Sequence, residues 1–138
     1  MYGYGSPFAQ WVYQDETTGK RYFLESALYV FDKTLGATDD LRDLAQFFER
    51  DAEFIWLAMH GSQSGTYQVQ FQAPDGRWIN SSPLNNANIV GTAQFPVMLP
   101  APVRVPKGGK IGINIKNTSG ASNTVQLCFV GVRAYEAP

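Results

Sequence analysis

Residues 100–132 read PAPVRVPKGGKIGINIKNTSGASNTVQLCFVGV, and this stretch decides the fold. After Pro106 the chain turns at Gly108-Gly109 and then alternates, with Ile111, Ile113 and Ile115 on one side and Gly112, Asn114 and Lys116 on the other. Strict alternation is the pattern of a strand with one buried face. A polar loop, residues 117–123, leads into the β-branched and aromatic run of residues 124–132, which is apolar on both faces and reads as a central strand covered on both sides. Two strands joined by such a loop are expected to pair antiparallel. The isoleucine face they create then needs a second sheet over it.

Working outward, the same signature recurs. Tyr67, Val69 and Phe71 alternate with Gln68, Gln70 and Gln72, then Ala73-Pro74-Asp75-Gly76 supplies a tight reversal into a partner strand at Arg77-Trp78-Ile79. Residues 54–59 form an apolar strand ended by Gly61-Ser62-Gln63-Ser64-Gly65. Short aromatic runs at residues 11–14 and 20–24 suggest a hairpin, and residues 29–31 offer another short strand before the pattern breaks at residues 33–38. Residues 39–50 fit either a short helix or a turn at residues 40–43 and then a strand over residues 44–49; the strand links better, through a tight turn at residues 51–53, to the apolar strand beyond it. Residues 80–88 read as a polar loop, Ile89-Val90 as a brief edge strand, and residues 103–105 as a strand preceded by prolines. Short strands spaced ~8 to 12 residues apart with turns between them predict an all-β antiparallel sandwich in one domain, residues 11–138, preceded by an extended arm, residues 1–10.

The composition narrows the function. Charged residues are 17% of the 138 residues, below the roughly 25% of an average soluble domain. The neutral polar surface that results suits packing against other subunits, since few charges need be desolvated, and it is equally the look of extracellular lectin-like domains. A net charge of −1 without any basic block argues against nucleic acid as a partner. No apolar run approaches the ~20 residues of a membrane span, and the N-terminus lacks the pattern of a secretion signal, so the chain is expected to start in the cytosol. Cys128, the one cysteine, sits in the most apolar run and reads as a small buried hydrophobe.

No catalytic constellation is evident, and the expectation is a protein that is not an enzyme and holds no cofactor or metal. His60 is the single histidine, which removes any multi-histidine metal site. Acidic residues at Asp39, Asp40 and Asp43 and at Glu49, Asp51 and Glu53 lack the twelve-residue calcium-loop pattern. Asn80 and Asn117 head glycosylation acceptor patterns that carry little weight without a secretion signal. Two surfaces remain. The rings of Tyr2, Tyr4, Phe8 and Trp11 could anchor the arm on a neighbouring subunit. Gln68, Gln70, Gln72, Trp78 and Asn80 could form a subunit interface, a sugar-binding face or a plain polar sheet surface.

The order of several pieces resembles small β-sandwich virion proteins of tailed bacteriophages. These pieces are Asp51-Ala52-Glu53-Phe54-Ile55-Trp56, then Gln70 through Ile79, a proline-rich segment, and Lys107-Gly108-Gly109-Lys110-Ile111. Asn117-Thr118-Ser119, Val125-Gln126-Leu127 and Gly131-Val132-Arg133-Ala134-Tyr135 complete the order. The resemblance spans about residues 40–136 and implies a jelly-roll-like sandwich without catalytic residues. It further implies a virion protein made in the host cytoplasm: a capsid decoration or cement protein bound to the major capsid protein, as a homo-oligomer. A neck or collar protein of the same fold is the alternative within that class, and a carbohydrate-binding module the alternative from another.

Overall fold

The computed structural model describes residues 11–136. The strands are β1 (Trp11–Gln14), β2 (Arg21–Leu35), β3 (Asp40–Phe47), β4 (Glu53–Gln63) and β5 (Tyr67–Gln72). They continue as β6 (Leu84–Asn85), a single helical turn α1 (Asn86–Ile89), β7 (Val97–Val105), β8 (Lys110–Asn117) and β9 (Asn123–Glu136). Two antiparallel sheets result, a five-stranded one ordered β1-β2-β9-β4-β7 and a four-stranded one ordered β3-β8-β5-β6. From β2 onward the chain crosses between the sheets at nearly every connection. The first, eighth, third and sixth of these strands share one sheet and the second, seventh, fourth and fifth the other, which is the strand order of a jelly roll.

The core is the alternation made physical. Ile111, Ile113 and Ile115 from β8 and Tyr67, Val69 and Phe71 from β5 lie buried beneath Leu35, Phe54, Trp56, Val125, Leu127 and Phe129 of the other sheet. Trp56 makes edge-to-face contacts with Phe71 and Phe129 at centroid distances of 5.4 and 5.2 Å. Phe48 stacks on Phe54 at 4.9 Å, with Tyr29 edge-on to both. Such pairs add roughly 0.5–1.5 kcal/mol each beyond the burial of their area. The Trp56 indole N–H donates to the Ala58 carbonyl at 2.8 Å, so its one polar atom is satisfied. The Tyr67 hydroxyl is buried without a partner among the described residues, and that burial pushes its pKa above the usual tyrosine range. At one end of the sandwich Arg133 bridges Glu25 at 2.6 Å and Glu49 at 2.9 Å, tying β9 to β2 and to the segment after β3.

Several local expectations need correction. The strands flanking the polar loop do not pair with each other: β8 lies between β3 and β5, while β9 lies between β2 and β4 in the opposite sheet. The loop, exposed along most of its length, joins the two sheets instead, and Asn117 and Asn123 at its two ends are buried. Asn117 donates to the carbonyls of Gly36 at 2.8 Å and Ala121 at 2.7 Å. The apolar runs at residues 20–24 and 29–31 belong to one long strand, β2, because β9 provides a continuous partner from Tyr22↔Glu136 to Leu35↔Asn123. Similarly, Gly61-Ser62-Gln63 continues β4 rather than ending it. Gly61 stays in the strand because a β-carbon there would meet the Gln126 carbonyl oxygen at 2.6 Å.

Within residues 39–50 the chain forms strand rather than helix, over Asp40–Phe47, ending two residues short of the expected residue 49. β3 starts earlier than expected, at Asp40, and absorbs the turn-like residues as a bulge between Leu41 and Leu44 in which Asp43 takes φ 60°. Trp78 makes only an isolated bridge to Gln72 and not a full partner strand. Ile89 and Val90 are buried at the end of α1 rather than placed on an edge. β7 begins at Val97 and carries Pro100 and Pro102 at the outer edge of its sheet, where a missing N–H breaks no ladder.

Candidate functional site

Each sheet turns one face to its partner and one outward, so the outward faces are where function can be sought. On the five-stranded sheet the register lines up cross-strand rows. Leu28 faces Val130, then Ala58, then Met98; Val30 faces Cys128, then His60; Ser26 faces Val132, then Ile55. Leu28 is 60% exposed, Val30 47% and Met98 66%. The middle of this face is therefore apolar and uncharged, bordered by the Glu53–Arg104 ion pair at 2.6 Å and by Asp32, which accepts from Gln126 at 3.0 Å. The expectation that β9 is covered on both sides holds for its inner face alone. Its outer face, with Val130 and Val132 only half-buried, meets no other element among the described residues.

His60 lies within β4 directly opposite Cys128, on this outward face. Cys128 is buried, and desolvation, followed by the nearby Asp32 charge, raises its thiol pKa. A thiol held neutral in this way is a poor nucleophile. Among the described residues no three His, Cys, Asp or Glu side chains gather as metal ligands would, and no helix is long and apolar enough to cross a membrane.

The four-stranded sheet carries the amide residues. Gln68 donates to Asn85 Oδ1 at 3.3 Å, and Gln72 donates to the Gly76 carbonyl at 2.9 Å, folding down over the turn. Trp78, bridged to Gln72, stands 45% exposed. Gln70 and Asn80 do not belong to this surface. Each is only 8% exposed, and Gln70 donates to the Asn80 carbonyl at 3.1 Å. The Asn80 side chain stands in for a missing strand beside β5: it accepts the Phe71 N–H at 2.9 Å and donates to the Val69 carbonyl at 2.9 Å and to the Ser82 carbonyl at 2.8 Å. Buried amides with every bond made are structural pins. The same is true of Asn117, so both glycosylation acceptor patterns place their amide nitrogen in internal hydrogen bonds.

Of the proposed arm anchors, Tyr2, Tyr4 and Phe8 lie outside the described residues. Trp11 opens β1, its backbone paired with Leu24 at the edge of the five-stranded sheet. The structure also gathers residues that no sequence motif groups together: Asp43, Gln72, Trp78, Lys110, Gly112 and Asn114 line one depression, and Phe47, 66% exposed, pairs with Lys110. Part of the signal is present in the alternation of β8, which sends Gly112 and Asn114 outward as surely as it sends the isoleucines inward. No protein-family model, curated protein or solved structure matches the chain.

Proposed function

We propose that this chain is a non-enzymatic structural protein of a tailed-phage virion, made in the host cytoplasm, which decorates and cements the capsid as a small symmetric homo-oligomer. The observation that carries the reading is the outward face of the five-stranded sheet, where Leu28, Val30 and Met98 stand exposed around Val130 and Ala58. An apolar, uncharged sheet face gains free energy when another protein covers it, and little desolvation of charge opposes that gain. A stable contact of this kind buries ~1,600 Å² in all, and symmetric repetition multiplies its effect across a shell. Tyr2, Tyr4 and Phe8 of the arm, with Trp11 at the start of β1, supply further anchors in this reading. The ordered phrases that resemble phage virion proteins support it from the sequence side.

The test uses particles assembled without this chain and then incubated with the purified protein. Wild type is expected to co-sediment with the particles, and Leu28→Asp combined with Met98→Asp is expected to weaken that binding at least tenfold while leaving the circular dichroism unchanged. Both side chains are exposed, so the fold loses nothing by the change. Undiminished binding by the double variant refutes the proposed contact face. Copy number separates a capsid position, with hundreds of copies, from a neck or collar, with tens at most.

A further inference from the structure

The outward face of the four-stranded sheet contains a trough. Ala45 in β3 pairs with Gly112 in β8, Gly112 pairs with Gln72 in β5, and Gln72 bridges to Trp78. Neighbouring strands lie ~4.8 Å apart, so this row runs roughly 14 Å across the sheet with its two smallest side chains on adjacent strands. A β-carbon at Gly112 would stand 3.0 Å from Gln72 Cβ and 3.1 Å from its Oε1, so glycine makes room for the Gln72 side chain to lie low along the floor. On one flank rises the exposed Trp78 ring. The neighbouring row holds Phe47 and Lys110, whose ammonium lies 6.0 Å from the Phe47 ring centre.

The opposite flank is polar and unusual in its backbone. Asp43, in the β3 bulge, is the single described non-glycine residue with positive φ, at 60°. Its N–H donates to Asn114 Oδ1 at 2.9 Å, which fixes the bulge against β8. The Asp43 carboxylate and the Asn114 amide nitrogen have no partner among the described residues, and both residues line the depression that Trp78, Gln72, Lys110 and Gly112 share. A strained non-glycine residue persists only where its surroundings hold it, and such residues gather at binding sites.

We propose that this trough binds a pyranose unit of a neutral glycan. The chemistry matches piece by piece. A pyranose presents one C–H face that stacks on an exposed aromatic ring, here Trp78. Its vicinal hydroxyls donate to a carboxylate, here Asp43, and accept from amide and ammonium donors, here Asn114 and Lys110. The floor of Ala45, Gly112 and the Gln72 amide beside it lies low enough for the ring to settle against the sheet, with the Gln72 Oε1 available to accept from a hydroxyl. A phosphorylated ligand would meet the Asp43 charge, and an apolar peptide would leave the carboxylate unpaired. Binding of one sugar in so open a site is on the order of millimolar. This inference goes beyond the capsid-attachment reading and does not depend on it: the trough lies on the sheet opposite the apolar face.

The test is a titration of isotopically labelled protein with the methyl glycosides of glucose, galactose, mannose and N-acetylglucosamine, monitored by nuclear magnetic resonance, alongside an array of immobilised glycans. At least one glycoside is expected to cause saturable shifts centred on Asp43, Gly112, Asn114 and the Trp78 indole. Trp78→Ala and Asp43→Gly are each expected to weaken binding at least tenfold. Asp43→Gly relieves the positive φ while deleting the carboxylate, so it separates a lost ligand contact from a lost fold. Absence of saturable binding to every glycoside and every arrayed glycan overturns the proposal. So do shifts centred elsewhere, or binding unchanged in both variants.

Discussion

Replacing Gly131 by alanine is expected to destabilise the protein by about 3 kcal/mol or more, a large share of the roughly 5–15 kcal/mol that holds an ordinary domain folded. Gly131 sits in the middle of β9, opposite Ala27 on one side and Trp56 on the other, at the place where β4 bulges between Trp56 and Ala58. The backbone of β4 comes so close that a β-carbon at position 131 would collide with the Ile55 carbonyl oxygen and stand 2.9 Å from the Phe54 ring. Neither obstacle can swing away. The carbonyl belongs to the ladder, and Phe54 is held by Phe48 and Tyr29 at 4.9 Å each. Urea unfolding monitored by tryptophan fluorescence measures the effect, and a midpoint equal to that of wild type would show that β4 and β9 are not packed as described.

The second large effect is expected from Asn123→Ala, which should cost about 3 kcal/mol. Asn123 is fully buried where the chain re-enters the five-stranded sheet. Its Oδ1 accepts the Gly65 N–H at 3.0 Å and the Ser64 hydroxyl at 3.3 Å, while its Nδ2 donates to the carbonyls of Gly65 at 2.8 Å and Thr66 at 3.1 Å. One side chain thus ties the loop between β4 and β5 to the start of β9. Alanine removes the partners of the Gly65 N–H and carbonyl and leaves a hole where the fully buried amide stood, while the Thr66 carbonyl keeps its bond from the Thr118 N–H. Ser122→Ala, at an exposed neighbouring position, is expected to fall within about 0.5 kcal/mol of wild type and serves as the control. The same urea titration reads both; equal midpoints for the two variants would contradict the pinning role.

Alternation reveals the core but not the pins, because it carries only one kind of information. The isoleucines of β8 and the Tyr67-Val69-Phe71 face are legible because a period of two fixes which side chains share a face, wherever the partner strand lies. Which strand pairs with which is set by long-range contacts, and periodicity does not encode it. That is why the loop between β8 and β9 reads as a hairpin although it spans the two sheets. The asparagines suffer the same ambiguity. Asn80 and Asn117 look like loop residues by type, and only the three-dimensional position shows Asn80 bonding the open edge of β5 and Asn117 tying two loops together. Gly131 could have been suspected, since a glycine inside a β-branched strand often marks a close backbone approach.

The surfaces are half legible. Trp78, Gln68 and Gln72 face outward as the alternation implies, while Gln70 and Asn80 are buried. Asp43 and Asn114 do not stand out as a pair in the sequence, because a bulge shifts register by amounts that no periodic pattern predicts. The apolar outer face is hidden because Leu28, Val30, Val130 and Met98 lie far apart in the chain and meet only through the pairing of β2, β9, β4 and β7. Seen in sequence, each looks like an ordinary core residue.

Electron cryomicroscopy of purified virions of the source phage would locate the chain in place. Density for the sandwich is expected at symmetric, high-copy positions on the capsid exterior, with the face bearing Leu28, Val130 and Met98 turned onto the subunits beneath. Particles that lack the chain altogether, or that carry it with that face open to solvent, would contradict the account.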